Sequence, residues 1–247
     1  MRRTCFLQLD GSVQARWVTD GTVQTRQFAK GEPIVLKGWA HLLGDSLQIG
    51  VPTPPKCKWD APTKMLALSD VEGEYDSLLK FLTSNQVVDD NGHWAFGKGH
   101  LVGVGDYVFV HAGLSPQVVR KALDYDGINA KVRSVLGVRP ETLTDVATAQ
   151  LSWGRAGPLW YRGYLPQHAM EFGPTPGNNQ FGMILKACEA KHIVVGHTKV
   201  ARVATMYEGG LIPIDVPWTD PVNVRGLLVR GDKSSLVDMD GASFELR

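Results

Sequence analysis

The sequence predicts a layered α/β protein, in which helices flank a β-sheet core and an antiparallel β extension precedes it. Residues 1–52 hold short runs of loosely alternating apolar residues separated by turn signals, a pattern typical of antiparallel strands. Residues 64–110 and 179–215 instead hold continuous apolar runs beside segments with helical spacing, as in buried sheets covered by helices. Residues 226–237 return to short strands, so strand additions follow the α/β part.

Composition narrows the classes of partner. The 247 residues include 26 basic and 25 acidic side chains, for a net charge of +1. A protein that coats nucleic acid or an anionic membrane surface normally carries a larger basic excess, so neither partner is expected. No apolar run reaches the roughly 18 residues that a membrane-spanning helix needs.

The cysteines indicate a reducing compartment. Cys5, Cys57 and Cys188 lie far apart, in no metal-binding spacing, and their odd number argues against a disulfide framework. Reduced thiols are typical of cytoplasmic proteins, so a cytoplasmic location is expected.

Residues 1–62 are predicted to form an N-terminal β extension and a linker. Two alternating runs, residues 13–18 and 22–28, flank Asp20 and Gly21. Asp-Gly between two such runs is a strong signal for a β-hairpin.

The rest of the extension contains two more short strands, expected at residues 34–36 and 47–51. The prolines concentrated in residues 52–62 can neither donate to a sheet nor continue a helix, so this stretch is interpreted as a linker. No residue here identifies a partner. The extension is therefore either an accessory to the second domain or an interaction module that carries specificity.

The second domain, residues 63–247, is predicted to alternate strands and helices before it ends in strands. Strands are expected at 65–69, 101–104, 108–110, 193–195, 203–205, 211–214, 226–229 and 235–237. Helices are expected at 74–84, within 116–150, where Pro140 opens one, and at 179–190. Residues 151–178, rich in glycine, proline and tryptophan, are expected to form a long irregular loop.

Several apolar strands of this domain end in an acidic residue or a histidine. Asp70 and Glu72 follow the first strand, and Asp106 follows the second. His111 and His197 each follow a later strand and lie beside a glycine or alanine. Because ligands gather at the carboxyl ends of strands in α/β sheets, these residues predict a cluster of oxygen and imidazole donors suited to Mn, Fe, Zn or Mg.

Each of these residues alone also has a purely structural explanation. Asp70 can cap the helix that follows, and Glu72 can lie in its first turn, where the helix dipole favours a carboxylate. Asp106 can be a turn residue. His111 and His197 can be core histidines with hydrogen-bonded ring nitrogens. Their shared position at strand ends favours a common site.

The motifs together resemble those of calcineurin-like metallophosphoesterases. Residues 69–76, SDVEGEYD, resemble the first motif of that family, and residues 100–106, HLVGVGD, resemble the strand that leads to the second. Residues 107–116, YVFVHAGLSP, resemble the histidine motif of the protein-phosphatase branch, and residues 194–198, VVGHT, resemble the last motif. Residues 160–163, WYRG, are similar to a segment of bacterial Shewanella-like phosphatases.

The resemblance implies a metallophosphoesterase-like core and a site for two divalent ions (Mn, Fe, Zn or Mg), which share an aspartate and a hydroxide that attacks phosphorus. It implies that Asp70 binds the first metal, that Asp106 is the shared carboxylate, and that His111 and His197 complete the cluster. Glu72 stands where the family usually has histidine and would ligate through oxygen. Asp70, Asp106 and His111 would then be the catalytic residues.

The same resemblance implies the substrate contacts. Arg162 and Arg155 are the candidates for binding the phosphate oxygens, since arginine forks match phosphate geometry. Both arginines can equally be exposed residues of a glycine- and proline-rich loop. The substrate class that the resemblance implies is a phosphomonoester, including phosphoproteins, and manganese is an expected metal.

The sequence departs from the family after Asp106. The family continues with an Asp-Arg-Gly element and a later Gly-Asn-His-Glu, and neither is present before Tyr107, which indicates an internal deletion between Asp106 and Tyr107. If residues 101–111 form one strand, Asp106 and His111 lie about 16 Å apart, at roughly 3.3 Å per residue. We therefore expect Asp70, Glu72, His111 and His197 to approach one another better than Asp106 does.

Two functional hypotheses follow from this departure. The first is metal-dependent, protein-phosphatase-like hydrolysis of phosphomonoesters, with activity impaired because each missing group is worth roughly 10²- to 10⁴-fold in rate. The alternative is a catalytically dead remnant that acts as a binding or structural module. Under either hypothesis the missing motifs leave room for one bound metal or none instead of two.

Overall fold

The computed structural model describes residues 4–9, 12–19, 22–29, 32, 57–89, 104–121, 124–135 and 143–246. The chain divides into two compact units, Met1–Pro55 and Lys56–Arg247. The domain boundary expected between residues 62 and 63 lies close to this division and stays a prediction.

The first unit contains a three-stranded antiparallel sheet. Its strands are β1 (Thr4–Leu9), β2 (Ser12–Thr19) and β3 (Thr22–Ala29), in the order β1-β2-β3. Thr19 pairs with Thr22, so two residues connect β2 and β3, and the predicted hairpin is confirmed by the pairing of its strands. Val13 and Phe28 pair across these strands and are both buried. The strands expected at 34–36 and 47–51 lie outside the described residues.

The second unit contains two sheets. Its strands are β4 (Lys64–Ala67), β5 (Tyr107–Val110), β6 (His192–Val195), β7 (Leu211–Pro213), β8 (Gly226–Arg230), β9 (Lys233–Val237) and β10 (Ser243–Glu245). One sheet is parallel, in the order β5-β6-β7, and the other is antiparallel, in the order β10-β9-β8-β4. Six of the predicted strands are confirmed. Residues 203–205 do not form the expected strand, and 101–103 lie outside the described residues.

The helices of the second unit are α1 (Tyr75–Ser84), α2 (Pro116–Arg120), α3 (Tyr125–Val135), α4 (Val146–Ser152), α5 (Ala169–Phe172) and α6 (Asn178–Ala187). Asp145 caps α4 by accepting a hydrogen bond from the Thr148 amide at 3.0 Å. The helix start expected at Pro140 lies outside the described residues. The loop expected at 151–178 contains α5 and a 3₁₀ turn, Pro166–His168. None of the helices in the described part of the chain is long and apolar enough to cross a membrane. The cytoplasmic location stays a prediction.

Side-chain alternation places the two sheets face to face, with helices on their outer faces. The core between the sheets contains Met65, Val194, Ile212, Leu227 and Val229. Ile193 and Leu211 point to the other side of the parallel sheet and pack with Phe181 of α6. Leu228 points to the other side of the antiparallel sheet and packs with Phe81 of α1. This α/β/β/α layering explains why runs from both sheets are continuously apolar, since both of their faces are covered.

Candidate functional site

The carboxyl ends of strands from both sheets meet at one edge of the second unit. Because β5, β6 and β7 are parallel, the residues that follow them lie at the same edge. The Gly196 amide donates to the His111 carbonyl at 2.9 Å, which carries the β5–β6 pairing up to the site. A Cβ at Gly196 would lie 2.6 Å from the Ser69 hydroxyl, so glycine permits the segment after β4 to approach.

Asp70, His111 and His197 form the centre of this edge. One potential ligand atom from each lies within 4.8 Å of the others. His111 Nδ1 lies 3.8 Å from Asp70 Oδ1, and His111 Nε2 lies 3.0 Å from His197 Nδ1. The side chains of Asp70 and His111 are 38% and 41% exposed, so the group is open to solvent on one side. Three of the predicted metal ligands are therefore close enough to share one ion.

The hydrogen bonds of these residues form a chain with a defined direction. Arg162 Nη2 donates to His197 Nε2 at 2.9 Å, because a guanidinium has no acceptor. A neutral His197 then carries its proton on Nδ1 and donates to His111 Nε2, which leaves the His111 proton on Nδ1, toward Asp70. Burial and, next, the Arg162 charge lower the pKa of His197, which favours this neutral form.

Two residues of the site have strained backbones. His197 has a φ of 61° and Glu72 a φ of 52°, in the left-handed region where residues other than glycine are uncommon. Such conformations cost about 1–3 kcal/mol and persist where the surrounding structure enforces them, often at functional sites. Trp160 packs edge-on against the His197 ring, with 5.4 Å between ring centroids, and is 41% exposed. An aromatic wall therefore borders the open side.

Carboxylates outnumber cations around Asp70. Glu72 is paired with Lys199, and Asp215, which follows β7, is only 1% exposed. Burial, and then the charge of Asp70, raises the pKa of Asp215 to about 6, while Lys199 opposes this effect. Asp70, Glu72 and Asp215 thus share one lysine, an arrangement that a bound cation would stabilise.

Three buried oxygens beside this group have no hydrogen-bond partner among the described residues. They are the Ser69 and Thr198 hydroxyls and Asp215 Oδ1. The Ser69 hydroxyl lies near enough to Asp215 to lower its pKa, yet not in hydrogen-bonding geometry. Since buried polar groups in folded proteins are nearly always satisfied, these oxygens indicate a place for water or an ion.

Asp106 lies at the other end of the parallel sheet. It precedes β5, and its carboxylate forms a 2.8 Å ion pair with Lys191, which precedes β6. Its carbonyl also accepts from the Lys191 and His192 amides, at 2.8 and 3.0 Å. A tight turn, Val104–Tyr107, leads into β5. Because strand β5 separates Asp106 from His111, the shared-ligand role that the resemblance implies for Asp106 does not fit this placement.

The two predicted phosphate-binding arginines are placed differently. Arg162 lies in the site, on His197. Arg155 forms a 2.7 Å ion pair with Glu171 and lies over the Phe172 ring, 5.4 Å from its centroid. Arg155 is therefore engaged in a surface ion pair, and Arg162 is the better candidate for a phosphate contact.

Asp215, Lys199 and Ser69 belong to the site but were not predicted from the sequence. Asp215 directly follows the apolar run 211–214, the same kind of signal that identified Asp70 and His197. Lys199 and Ser69 have no comparable signal, because a lysine or a serine after a strand is ordinary at a surface.

Comparisons with known proteins show the fold. No protein-family model matches the sequence, and no curated protein matches it. The chain is similar to the crystal structure of the cold-active protein-tyrosine phosphatase of a psychrophile, Shewanella sp., with a TM-score of 0.76, 19% identity, and 98% of each chain covered. A point mutant of a cold-active protein tyrosine phosphatase matches with a TM-score of 0.76 and 20% identity, over 98% of each chain. A 1.1 Å structure of a cold-active protein tyrosine phosphatase matches with a TM-score of 0.76 and 19% identity, over 98% of this chain and 97% of the other.

Proposed function

We propose that the chain is a metal-dependent hydrolase of phosphomonoesters, with one divalent cation bound by Asp70, His111 and His197. The observation that carries this proposal is the convergence of one carboxylate and two imidazoles within 4.8 Å at the ends of β4, β5 and β6. The fold shared with solved structures of a protein-tyrosine phosphatase supports the same reaction class.

The residues present suit a transition-metal ion. One oxygen and two nitrogen donors favour Mn, Fe or Zn over Ca. The carboxylate of Asp215, whose Oδ1 has no hydrogen-bond partner among the described residues, adds negative charge when ionised. Glu72 lies beside the group, paired with Lys199, and can add a fourth donor if that pair opens. When bound, the cation would polarise a phosphate oxygen and lower the pKa of water.

The protein's own residues would bind and orient the ester. The Arg162 guanidinium offers several N–H donors at the position where phosphate oxygens would face the site, and arginine binds phosphate through paired hydrogen bonds. Burial and, next, the Arg162 charge lower the pKa of His197 and so favour a neutral ring, whose one lone pair accepts from Arg162 until another ligand takes it. The missing Gly-Asn-His-Glu element would supply an asparagine ligand and a histidine that protonates the leaving group. This proposal has no replacement for that acid, so turnover is expected to be slow.

We propose phosphorylated protein side chains, tyrosine included, as the substrates. The half-exposed Trp160 beside His197 offers a flat apolar surface on which an aromatic ring can pack. The solved structures with the same fold are described as protein tyrosine phosphatases, which supports this class of substrate. The balanced charge of the chain gives no support to nucleic acid as a partner.

The alternative function is a remnant that binds a cation without turnover. The placement of Asp106 at the opposite end of β5 favours it, because the carboxylate that the resemblance assigns as the bridge between two ions then lies away from the site. This alternative predicts cation binding at Asp70, His111 and His197 with no hydrolysis.

The deciding experiment is metal analysis of the full chain together with turnover. Protein stripped with a chelator is titrated with Mn²⁺. Two reactions are then followed: the release of p-nitrophenol from p-nitrophenyl phosphate and the release of phosphate from a phosphotyrosine peptide. Mn²⁺-dependent turnover that is lost in His197→Ala supports the hydrolase. The matched control is His192→Gln, since His192 is half-buried but bonds the Gly209 carbonyl away from the site. Binding without turnover favours the remnant, and the absence of both rejects the metal site.

A further inference from the structure

Arg162 holds the one nitrogen of His197 that has a free lone pair. Its Nη2 lies 2.9 Å from His197 Nε2, and within the described parts of the chain no carboxylate lies at ion-pair distance from Arg162. A neutral imidazole has a single acceptor nitrogen. In the structure that acceptor is Nε2, and it is occupied by the guanidinium.

A cation cannot bind His197 while this hydrogen bond remains. If the cation takes Nε2, it replaces Arg162 directly. If it takes Nδ1, on the side of His111, the ring proton must move to Nε2, where an N–H would face the Arg162 N–H across 2.9 Å. Two donors at that distance repel each other, and the positive charges of cation and guanidinium add to the repulsion.

We infer that Arg162 positions His197 in the cation-free site, and that cation binding displaces the Arg162 guanidinium and frees it for the substrate phosphate. This inference rests on the proposed function, since it uses the same cation and phosphate. It assigns Arg162 two successive partners. Phosphate would then bind to the arginine more tightly once the ion has been bound.

Because Arg162 and the cation compete for His197, the loss of Arg162 should change cation affinity in the direction opposite to that expected for a structural residue. A residue that only supports the fold weakens cation binding when it is removed. Removal of Arg162 should strengthen cation binding, because the cation no longer has to break a charge-assisted hydrogen bond. Binding of cation and phosphate should also be cooperative in the wild-type protein, and by linkage each ligand raises the affinity for the other by the same factor.

The test compares Mn²⁺ affinity in chelator-treated wild type and in Arg162→Gln by calorimetry. Loss of a hydrogen bond to a charged donor predicts about tenfold tighter binding in Arg162→Gln. Arg155→Gln is the matched control, because it removes the same charge from the same segment but has no bond to His197. Its affinity should stay within about twofold of wild type, because the Arg155 charge is paired with Glu171 at the surface.

Two measurements on the wild-type protein need no variant. Nitrogen-15 spectra of the metal-free protein should show His197 with its proton on Nδ1 and Nε2 as the acceptor. Inorganic phosphate should bind about tenfold more tightly once Mn²⁺ is present, and this gain should shrink in Arg162→Gln.

The outcomes separate this inference from the proposed function. Tighter Mn²⁺ binding in Arg162→Gln supports the inference even when no turnover is found. Equal or weaker binding in Arg162→Gln overturns it, even in a protein that hydrolyses phosphomonoesters. A proton on Nε2 of His197 in the metal-free protein, or no Mn²⁺ binding by wild type and variant alike, also overturns it.

Discussion

Both ends of the parallel sheet carry an aspartate. The polar groups of Asp106 at one end have partners, whereas the other end has an unsatisfied carboxylate oxygen and a strained backbone. At the amino end, Asp106 has its carboxylate paired with Lys191 and its carbonyl bonded to two amides. At the carboxyl end, Asp215 is buried with an oxygen that has no hydrogen-bond partner within the described part of the chain, and His197 has a left-handed backbone. Both ends belong to the same strands, so the contrast arises from the residues and their neighbours.

This contrast teaches which carboxylate is structural and which is available to a ligand. A satisfied ion pair at a surface needs nothing more, and such pairs contribute little to stability. Unsatisfied buried oxygens and backbone strain are unfavourable, and folded proteins retain them mainly where a ligand or a reaction uses them. Variants at the two ends test whether the amino end is structural and the carboxyl end is available to a ligand.

The largest expected effect is on cation affinity when equivalent changes are made at the two ends. Asp70→Asn should weaken Mn²⁺ binding by about 100-fold or more, because it removes the charged ligand. Asp106→Asn should leave the affinity within about twofold, since its carboxylate faces Lys191. Calorimetric titration of both variants with Mn²⁺ measures these two affinities. A large loss of Mn²⁺ affinity in Asp106→Asn alone would place the ion at the amino end of the sheet and contradict the proposed site.

The next effect concerns the pH dependence of stability through Asp215. Burial raises its pKa from 3.8 to about 6 in the folded state, so the folded protein binds this proton more tightly than the unfolded chain. The free energy of unfolding should therefore fall as pH rises from about 4 to about 6, and this loss persists at higher pH. Asp215→Asn should remove the loss and stabilise the metal-free protein at pH 7 by up to about 3 kcal/mol.

Urea unfolding of the wild type and Asp215→Asn at several pH values, with chelator present, measures this effect. The two proteins should converge below about pH 4, where Asp215 is protonated in both states. A variant that is less stable than wild type at pH 7 would show that Asp215 has a stabilising partner when ionised.

A smaller effect is expected at Lys199. Lys199→Met removes the lysine that Asp70, Glu72 and Asp215 share, and it leaves Glu72 free to act as a ligand. Mn²⁺ affinity should rise about two- to fivefold, the scale of an exposed ion pair. Titration in Lys199→Met beside wild type checks the direction. A fall in affinity would mean that Lys199 positions a ligand instead of competing for it.

The smallest effect is expected for the equivalent lysine at the amino end. Lys191→Met breaks only the exposed pair with Asp106, so the free energy of unfolding should drop by less than about 1 kcal/mol. Mn²⁺ affinity should not change. Urea unfolding and the same titration test both statements, and a change in cation affinity would contradict the separation of the two ends.

Much of the fold was predictable from local patterns. The Asp-Gly hairpin, the strand before Asp70 and the helix Tyr75–Ser84 follow from alternation, apolar runs and helical spacing. The expected strand at 203–205 was wrong, because three apolar or β-branched residues do not make a strand without a partner to pair with. The helix expected to open at Pro140 lies outside the described residues and stays a prediction.

The candidate site was predictable in its members but not in its connections. Chain distance alone indicated that Asp106 cannot reach His111, and the structure places them at opposite ends of β5. The pairing of Arg155 with Glu171 was not visible in the sequence, because it depends on how the segment between them folds back. The burial of Asp215 was missed although its position after a strand carried the usual signal.

The sequence by itself determined which polar residues end strands, because apolar runs and the residue after each of them are local properties of the chain. Only the tertiary structure decided that Asp70, from the antiparallel sheet, meets His111 and His197 from the parallel one. It alone decided that Arg162 bonds His197 and so determines which nitrogen carries the proton. These relations come from the packing of segments far apart in the chain, and no local pattern encodes that packing.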